Sequence, residues 1–249
     1  MKIGIIIQAR TNSTRLPSKV LLPFYKEKSI LDILIENFKS VERYPIILAT
    51  SNNKNDFILK EYANKYKINF FIGKENDVLD RFINAASEFN LDTIFRVCSD
   101  NPFFDINSLF DLEKIYRRKD NIDYCSFKNS LGTPVIKTHI GMFGEIVSVE
   151  ALNKVKRLTN KKEYLEHVTN YIYEHPKRFN IYLENSPPKV YDRNDLRFTV
   201  DDHEDFENLK RVYGTYIDNN LDMNGLIDFV DTNKNIIEKM KRNIKKYSK

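Results

Sequence analysis

The chain has 249 residues, 41% hydrophobic and 30% charged, with a formal net charge of +5. That length can bury a substantial core, and that balance excludes a disordered chain; no apolar run is long enough for a transmembrane helix. Two cysteines, Cys98 and Cys125, offer neither a disulfide framework nor metal-ligand spacing, so a reducing cytoplasm is the expected location.

The location of the charge decides its meaning. From Glu238 to the end stand Lys239, Lys241, Arg242, Lys245, Lys246 and Lys249 against Glu238 alone, which equals the whole excess. The remainder is balanced, and no face or groove gathers the cations a nucleic-acid binder needs. A frayed, solvated helix end is the expected state of this tail, without a nucleic-acid or membrane partner.

Apolar β-rich runs alternate with amphipathic stretches through the first half, the pattern of a parallel sheet wrapped by helices. Ile3–Ile7 reads as a buried strand, and Arg10 arrives too soon after it for a signal-peptide core. A helix capped by Ser29 runs to about Val41, followed by a strand at 45–50 and a helix over 56–66. Ile68–Ile72 is a short strand. Asp77 caps the next helix, where Asp77 and Arg81 stand at ion-pair spacing. Thr93–Cys98 is a strand broken at Ser99-Asp-Asn-Pro, since Pro102 donates nothing to a ladder. A helix at 106–117 and a strand at 122–127 complete the alternation.

After Asn129 the rhythm changes. Gly132, Pro134, Gly141 and Gly144 punctuate a stretch read as β-rich, then Ser148 starts a helix. A second helix is expected over 161–174, strands over 179–183 and 196–200, a long polar loop between those strands, and helices over 201–217 and 223–247. The expected architecture is α/β: one domain over 1–217 with a mostly parallel sheet and an inserted β-rich arm near 130–190. A helical extension over 218–249 carries the basic tail.

Three stretches carry chemistry. Gln8-Ala-Arg-Thr-Asn-Ser-Thr-Arg-Leu-Pro-Ser-Lys follows the first strand and holds three fixed cations, Arg10, Arg15 and Lys19. A loop leaving the carboxyl end of a buried strand is where open α/β sheets bind ligands, and cations among backbone N–H groups suit a polyphosphate. Asp100 stands at the end of another strand, on the same sheet edge. A carboxylate facing a polyphosphate needs a cation between them, which makes it a Mg²⁺ ligand or, more plainly, the start of an Asx turn before Pro102. Asp201 ends Phe198-Thr-Val-Asp-Asp-His-Glu-Asp-Phe and is the second metal candidate, while Asp202, Glu204 and Asp205 suit a helix N-terminus. His203 has no partner at metal spacing. No Gly-x-Gly-x-x-Gly and no Walker loop occurs, which argues against a dehydrogenase or a P-loop ATPase.

In order and spacing these stretches resemble the cytidylyltransferases of the spore-coat polysaccharide biosynthesis protein F type, over roughly residues 1–215. That family is related to the acylneuraminate and 3-deoxy-manno-octulosonate cytidylyltransferases. Leu48-Ala-Thr-Ser, Gly73-Lys-Glu-Asn-Asp-Val-Leu-Asp-Arg-Phe, Arg96-Val-Cys-Ser-Asp-Asn-Pro and Glu166-His-Val-Thr-Asn-Tyr-Ile-Tyr belong to the same series. The resemblance implies a Rossmann-like nucleotide-diphospho-sugar transferase fold. It puts Arg10, Arg15 and Lys19 at the triphosphate, and Ala9, Thr50 and Arg81 near the base and ribose. Asp100 and Asp201 become the Mg²⁺ carboxylates, Glu145 an acceptor-side residue, and the inserted arm implies a homodimer. Three departures stand out. Ser18 replaces a usual glycine, Cys98-Ser-Asp-Asn replaces Thr-Gly-Asp-Cys, and Phe143-Gly144 replaces an acidic and an aliphatic residue.

The activity these features imply is Mg²⁺-dependent transfer of CMP from CTP, with release of pyrophosphate. The acceptor is a sugar acid or a sugar or polyol phosphate, for surface polysaccharide or glycan synthesis. Two alternatives stand beside it: a glycosyltransferase of related architecture using a nucleotide sugar, and a non-catalytic nucleotide-binding module.

Overall fold

Four isoleucines around Gly4 make Ile3–Gln8 (β1) a strand buried on both faces. A short hairpin, β2 (Pro23–Tyr25) and β3 (Lys28–Ser29), leads into α1 (Ile30–Lys39). Ser29 caps that helix in a reciprocal pair with Asp32, as its position before the apolar periodicity predicts. The alternation continues through β4 (Ile46–Ser51), α2 (Leu59–Tyr66), β5 (Asn69–Gly73), α3 (Val78–Glu88), β6 (Thr93–Cys98) and α4 (Ile106–Arg118). Beyond it come β7 (Tyr124–Lys128), β8 (Glu145–Ser148), α5 (Val149–Leu158), α6 (Lys162–Glu166), α7 (Asn170–Glu174), β9 (Ile181–Asn185) and α8 (Pro188–Tyr191). The chain closes with α9 (His203–Asp218), α10 (Met223–Thr232) and α11 (Lys234–Tyr247). This computed structural model describes residues 1–247; Ser248 and Lys249, the end of the basic tail, lie outside the described residues.

The described strands form a seven-stranded sheet in the order β5-β4-β1-β6-β8-β7-β9. Every pairing is parallel except the two made by β8, which runs against β6 and β7. One face is covered by α1, α2, α4 and α9–α11, the other by α3, α5 and α7. No helix among the described residues is long and apolar enough to cross a membrane.

Four local expectations change. The segment 130–190 is knitted into the central sheet through β8 and β9 and is otherwise loops and short helices, because Ile146 and Val147 bury against both faces. The single helix expected over 161–174 breaks at 167–169, where the chain buries Val168 and turns the Thr169 hydroxyl onto Glu145. Leu196–Val200 is extended and buried but joins no sheet. The N–H groups of Phe198 and Val200 bond instead to the carbonyls of His139 and Asp100, in two different loops. Finally, the basic tail is solvated but not frayed: Met240 packs into the core, and Arg242 and Lys246 of α11 meet Glu204 and Asp202 at the start of α9.

Candidate active site

The loop that follows β1 is anchored from below. Asp56 is fully buried, and its Oδ1 accepts from both the Thr11 N–H and the Thr11 hydroxyl at 2.7 Å. Its other oxygen accepts from the Ser51 hydroxyl. Further along, the Ser18 N–H returns to the Thr11 carbonyl at 2.8 Å, folding the loop on itself. Ser18 has φ +54°, the left-handed region that favours glycine. The serine therefore keeps the backbone path a glycine would take there, at a cost of about 1–2 kcal/mol.

This fold brings Arg15 and Lys19 to Asp201, after the buried segment 196–200, and Lys19 also to Asp100, after β6. Lys19 Nζ lies 3.1 Å from Asp100 and 3.7 Å from Asp201, and it also donates to the Val200 carbonyl. Arg15 Nη2 reaches Asp201 Oδ1 at 2.7 Å. The opposite oxygen of Asp201 accepts from Arg197 at 2.7 Å, and Arg197 is fully buried in a bidentate pair with Asp205. Burial would raise the Asp201 carboxyl, but Lys19, Arg15 and Arg197 outweigh it and hold it below the usual carboxylate range. Arg10 is exposed, and its charge bears on Arg81 rather than on this cluster.

Two carboxylates converging on one ammonium form a seat for a positive charge. No group of three or more His, Cys, Asp or Glu residues able to hold a metal occurs among the described residues. Asp100 and Asp201 therefore fit Mg²⁺, which binds through one or two carboxylates and completes its shell with water and substrate phosphates. They do not fit an all-protein metal cage.

Across the carboxyl ends of β1 and β4 the polar groups are unsatisfied. Ala9 is buried and tied to the Ala49 carbonyl, while Gln8 Oε1 and Thr50 Oγ1 have no partner in the protein. Arg81, on α3, is buried with only Nη2 bonded, to the carbonyls of Lys74 and Glu75 at 2.6 and 3.1 Å; its Nε and Nη1 have none. Burial, with Arg10 adding to it, pushes the Arg81 guanidinium below its ordinary value. The pairing expected between Asp77 and Arg81 is absent: Asp77 caps α3 and meets Lys156, leaving Arg81 to the β5–α3 loop. Gly73 makes this route possible, since a Cβ there would stand 2.7 Å from Arg81 Cγ. Leaving buried donors and acceptors unpaired costs about 1–3 kcal/mol each.

A cavity of about 1100 Å³ adjoins Asp100 and Asp201, lined among others by Arg96, Lys137, His139, His167, Tyr173 and Tyr247. Glu145, expected on the acceptor side, lies beneath this cavity and is 1% exposed. It accepts from Arg96, from the Tyr124 hydroxyl and from Thr169 at 3.0 Å, so its charge is already spent within the protein. What it presents to the cavity is Arg96. Burial would weaken that guanidinium's hold on its proton, but Cys98 and Glu145 reverse the effect and keep it a fixed cation. Gly144 has no room for an aliphatic side chain, because a Cβ would meet Leu109 and Phe104 at 2.9 and 3.0 Å. Phe143 packs on Phe127 at 5.0 Å between ring centres instead of offering an acid.

Three participants lay beyond the sequence reading. Arg197 was legible only as a residue four before Asp201. His139 accepts from Arg197 at its Nδ1, and burial with that cation lowers its proton affinity, which leaves the Nε2–H tautomer facing the cavity. Tyr247 gave no signal at all, since what it touches lies far away in the chain.

Residues 4–238 match the family model described as cytidylyltransferase. The chain belongs to the cytidylyltransferase family. It is 40% identical over 238 residues to an uncharacterized protein of Methanocaldococcus jannaschii, spanning 95% of this chain and 93% of that one. It is 33% identical over 217 residues to the spore coat polysaccharide biosynthesis protein SpsF of Bacillus subtilis, spanning 85% and 86%. Among solved structures it is similar to a cytidylyltransferase from Leptospira borgpetersenii, with a TM-score of 0.83 and 28% identity over 95% of this chain and 97% of that chain. The protein is thus a nucleotidyltransferase enzyme with the fold expected of one.

Proposed function

We propose that this cytidylyltransferase transfers CMP from CTP to an anionic sugar acceptor, a sugar acid or a sugar or polyol phosphate, with Mg²⁺ as cofactor. The observation that carries the reading is the convergence of Asp100 and Asp201 on Lys19 with Arg15 alongside. A triphosphate entering between them offers the cations an anion and frees both carboxylates for a metal.

Arg10, Arg15 and Lys19 neutralise the β- and γ-phosphates as pyrophosphate gains charge, the electrostatic contribution that such sites make to the transition state. Asp100 and Asp201 would hold Mg²⁺, which when bound supplies Lewis-acid stabilisation of the α-phosphate charge. Arg81, Thr50, Gln8 and the backbone at Ala9 supply the donors and acceptors that a pyrimidine edge requires. On the acceptor side Arg96 gives a buried cation for a carboxylate or phosphate, and the neutral His139 gives a donor. Surface polysaccharide or glycan synthesis is the setting this chemistry serves, in keeping with the similarity to SpsF. Two free cysteines are compatible with a reducing cytoplasm, and a homodimer through the segment 130–190 would fit the open edge that β9 presents.

The test is pyrophosphate release from four nucleoside triphosphates against a panel of sugar acids and sugar phosphates. CTP with at least one anionic acceptor should turn over in a metal-dependent way, and Asp100→Asn should lower kcat on the order of a hundredfold. Turnover with nucleotide sugars in place of CTP would replace this reading with a glycosyltransferase.

A further inference from the structure

The C-terminal helix reaches the nucleotide loop through one side chain. The ring of Tyr247 lies 4.5 Å from the Arg15 guanidinium carbon and 5.1 Å from that of Arg197. Its hydroxyl donates to Asp202 Oδ2 at 2.6 Å, beside Lys246 on the same oxygen at 2.8 Å. Asn243, one turn back, donates to Asp205 at 2.8 Å, and Arg242 pairs with Glu204. Asn243, Arg242 and Lys246 pin α11 to the first turn of α9, directly after Asp201, and so hold the ring there with or without its hydroxyl bond. It is a fixed wall, not a loose end.

We infer that Tyr247 is a positioning residue for triphosphate binding: its ring holds Arg15 flat against the wall of the site with its N–H edge free for phosphate. The inference rests on the nucleotide reading above. A guanidinium attracts an aromatic ring through its face while its donors lie in its plane, so stacking consumes none of them. Arg15 is otherwise exposed, its side chain 45% accessible, and Asp201 is its only ion pair among the described residues. If Asp201 turns to a metal, that pair is lost just when the arginine is needed. The Tyr247 ring then remains as the contact that keeps this long side chain from dispersing among rotamers. The basic tail thereby acquires a part in ligand binding without touching nucleic acid or lipid.

The test is calorimetry of Mg²⁺ with CTP, and separately Mg²⁺ with inorganic tripolyphosphate, on wild type, Tyr247→Phe and Tyr247→Leu. Tyr247→Phe keeps the ring and should bind both ligands within about twofold of wild type, whereas Tyr247→Leu should weaken both roughly fivefold. A second measurement is independent of whether the leucine variant folds. The side-chain Nε–H resonance of Arg15, assigned through Arg15→Lys, should be ring-shifted upfield in the wild type and stay so with tripolyphosphate bound. Equal affinities in all three proteins, equal losses in both variants, or an unshifted Arg15 resonance would each overturn the inference. Binding of tripolyphosphate without CTP would remove the cytidine reading and leave this one standing; binding of neither would remove both.

Discussion

Arg15 and Asp201, 186 residues apart, meet at 2.7 Å, and in doing so each occupies the other's functional group. The cation suited to a phosphate and the carboxylate suited to a metal neutralise one another, with Lys19 bridging Asp201 to Asp100 in the same way. Metal alone must displace these cations without offering them an anion. Affinity for Mn²⁺, read by electron paramagnetic resonance, is expected to be weak for the protein alone. It should rise at least tenfold with a non-hydrolysable CTP analogue, the linkage expected when each ligand releases the other's site. Tight metal binding in the absence of nucleotide would contradict this resting arrangement.

Glu145 is expected to matter through Arg96. Glu145→Ala leaves that guanidinium buried without its carboxylate and should cost about 3–5 kcal/mol of stability, measured by urea unfolding. Glu145→Gln keeps one oxygen that can accept from the Tyr124 and Thr169 hydroxyls, and should lose less. If Glu145 contacted the acceptor directly, either variant would lose turnover with stability unchanged.

Ser18→Gly should relieve the left-handed strain at φ +54°. The greater freedom of glycine in the unfolded chain offsets part of the gain, so a rise of about 0.5 kcal/mol is expected. Nucleotide affinity should hold. Ser18→Val, which tolerates that conformation poorly, should lower both stability and affinity in the same assays.

Gly73→Ala is a remote way to reach Arg81. The new Cβ would stand 2.7 Å from Arg81 Cγ, so the arginine must shift. Because two of its nitrogens lack protein partners, moving it removes few contacts from the protein itself. The KM for CTP is therefore expected to rise several-fold while the melting temperature changes little. A large drop in melting temperature with unchanged KM would assign Arg81 a purely structural part.

The pH dependence of stability should show two regions. Asp201 and Asp202 are both held below the ordinary value of 3.8. For each, burial opposes ionisation, and the facing cations outweigh it: Lys19, Arg15 and Arg197 on Asp201, and Lys246 with the Tyr247 hydroxyl on Asp202. A depressed carboxylate stabilises the fold above its unfolded pKa and loses that contribution as pH falls through its folded one. The melting temperature should therefore fall steeply below about pH 4, less so in Asp202→Asn. His139, depressed from 6.5 by burial and Arg197, follows the same sign. Its contribution is complete above pH 6.5 and is lost on acidification through its folded value, a step that His139→Gln should remove.

The alternation of the first half was legible because strands buried on both faces and capped amphipathic helices leave local signals. Ser29, Asp77 and Ser148 all cap the helices they were expected to cap. The cations of the loop and the two aspartates were legible as residue types at strand ends. Their pairing was not, since Lys19 meets both aspartates only because segment 196–200 is bonded to the loop after β6, Val200 N–H to the Asp100 carbonyl. Buried extended segments mislead most: Leu196–Val200 has the composition of a strand, yet its hydrogen bonds go to loops. Likewise the tail looks frayed until Asp202 and Glu204 hold Lys246 and Arg242, and Glu145 looks free for a ligand until Arg96, Tyr124 and Thr169 are found to fill it.

Strand β6 has β1 on one side and the antiparallel β8 on the other. Toward β1, β4 and β5 lie Gln8, Thr50 and Arg81 of α3; the cavity lined by Arg96, Lys137, His139 and His167 lies toward the later strands. Asp201 and Tyr247 apart, the groups proposed to grip the nucleotide come from the first hundred residues, and those proposed to face the acceptor come, Arg96 excepted, from the stretch after Asn129. Substitutions at Lys137 or His167 in the cavity wall would, on this proposal, change what is accepted while leaving the donor grip alone. Evolution, or a designer, can therefore retune one ligand at a time.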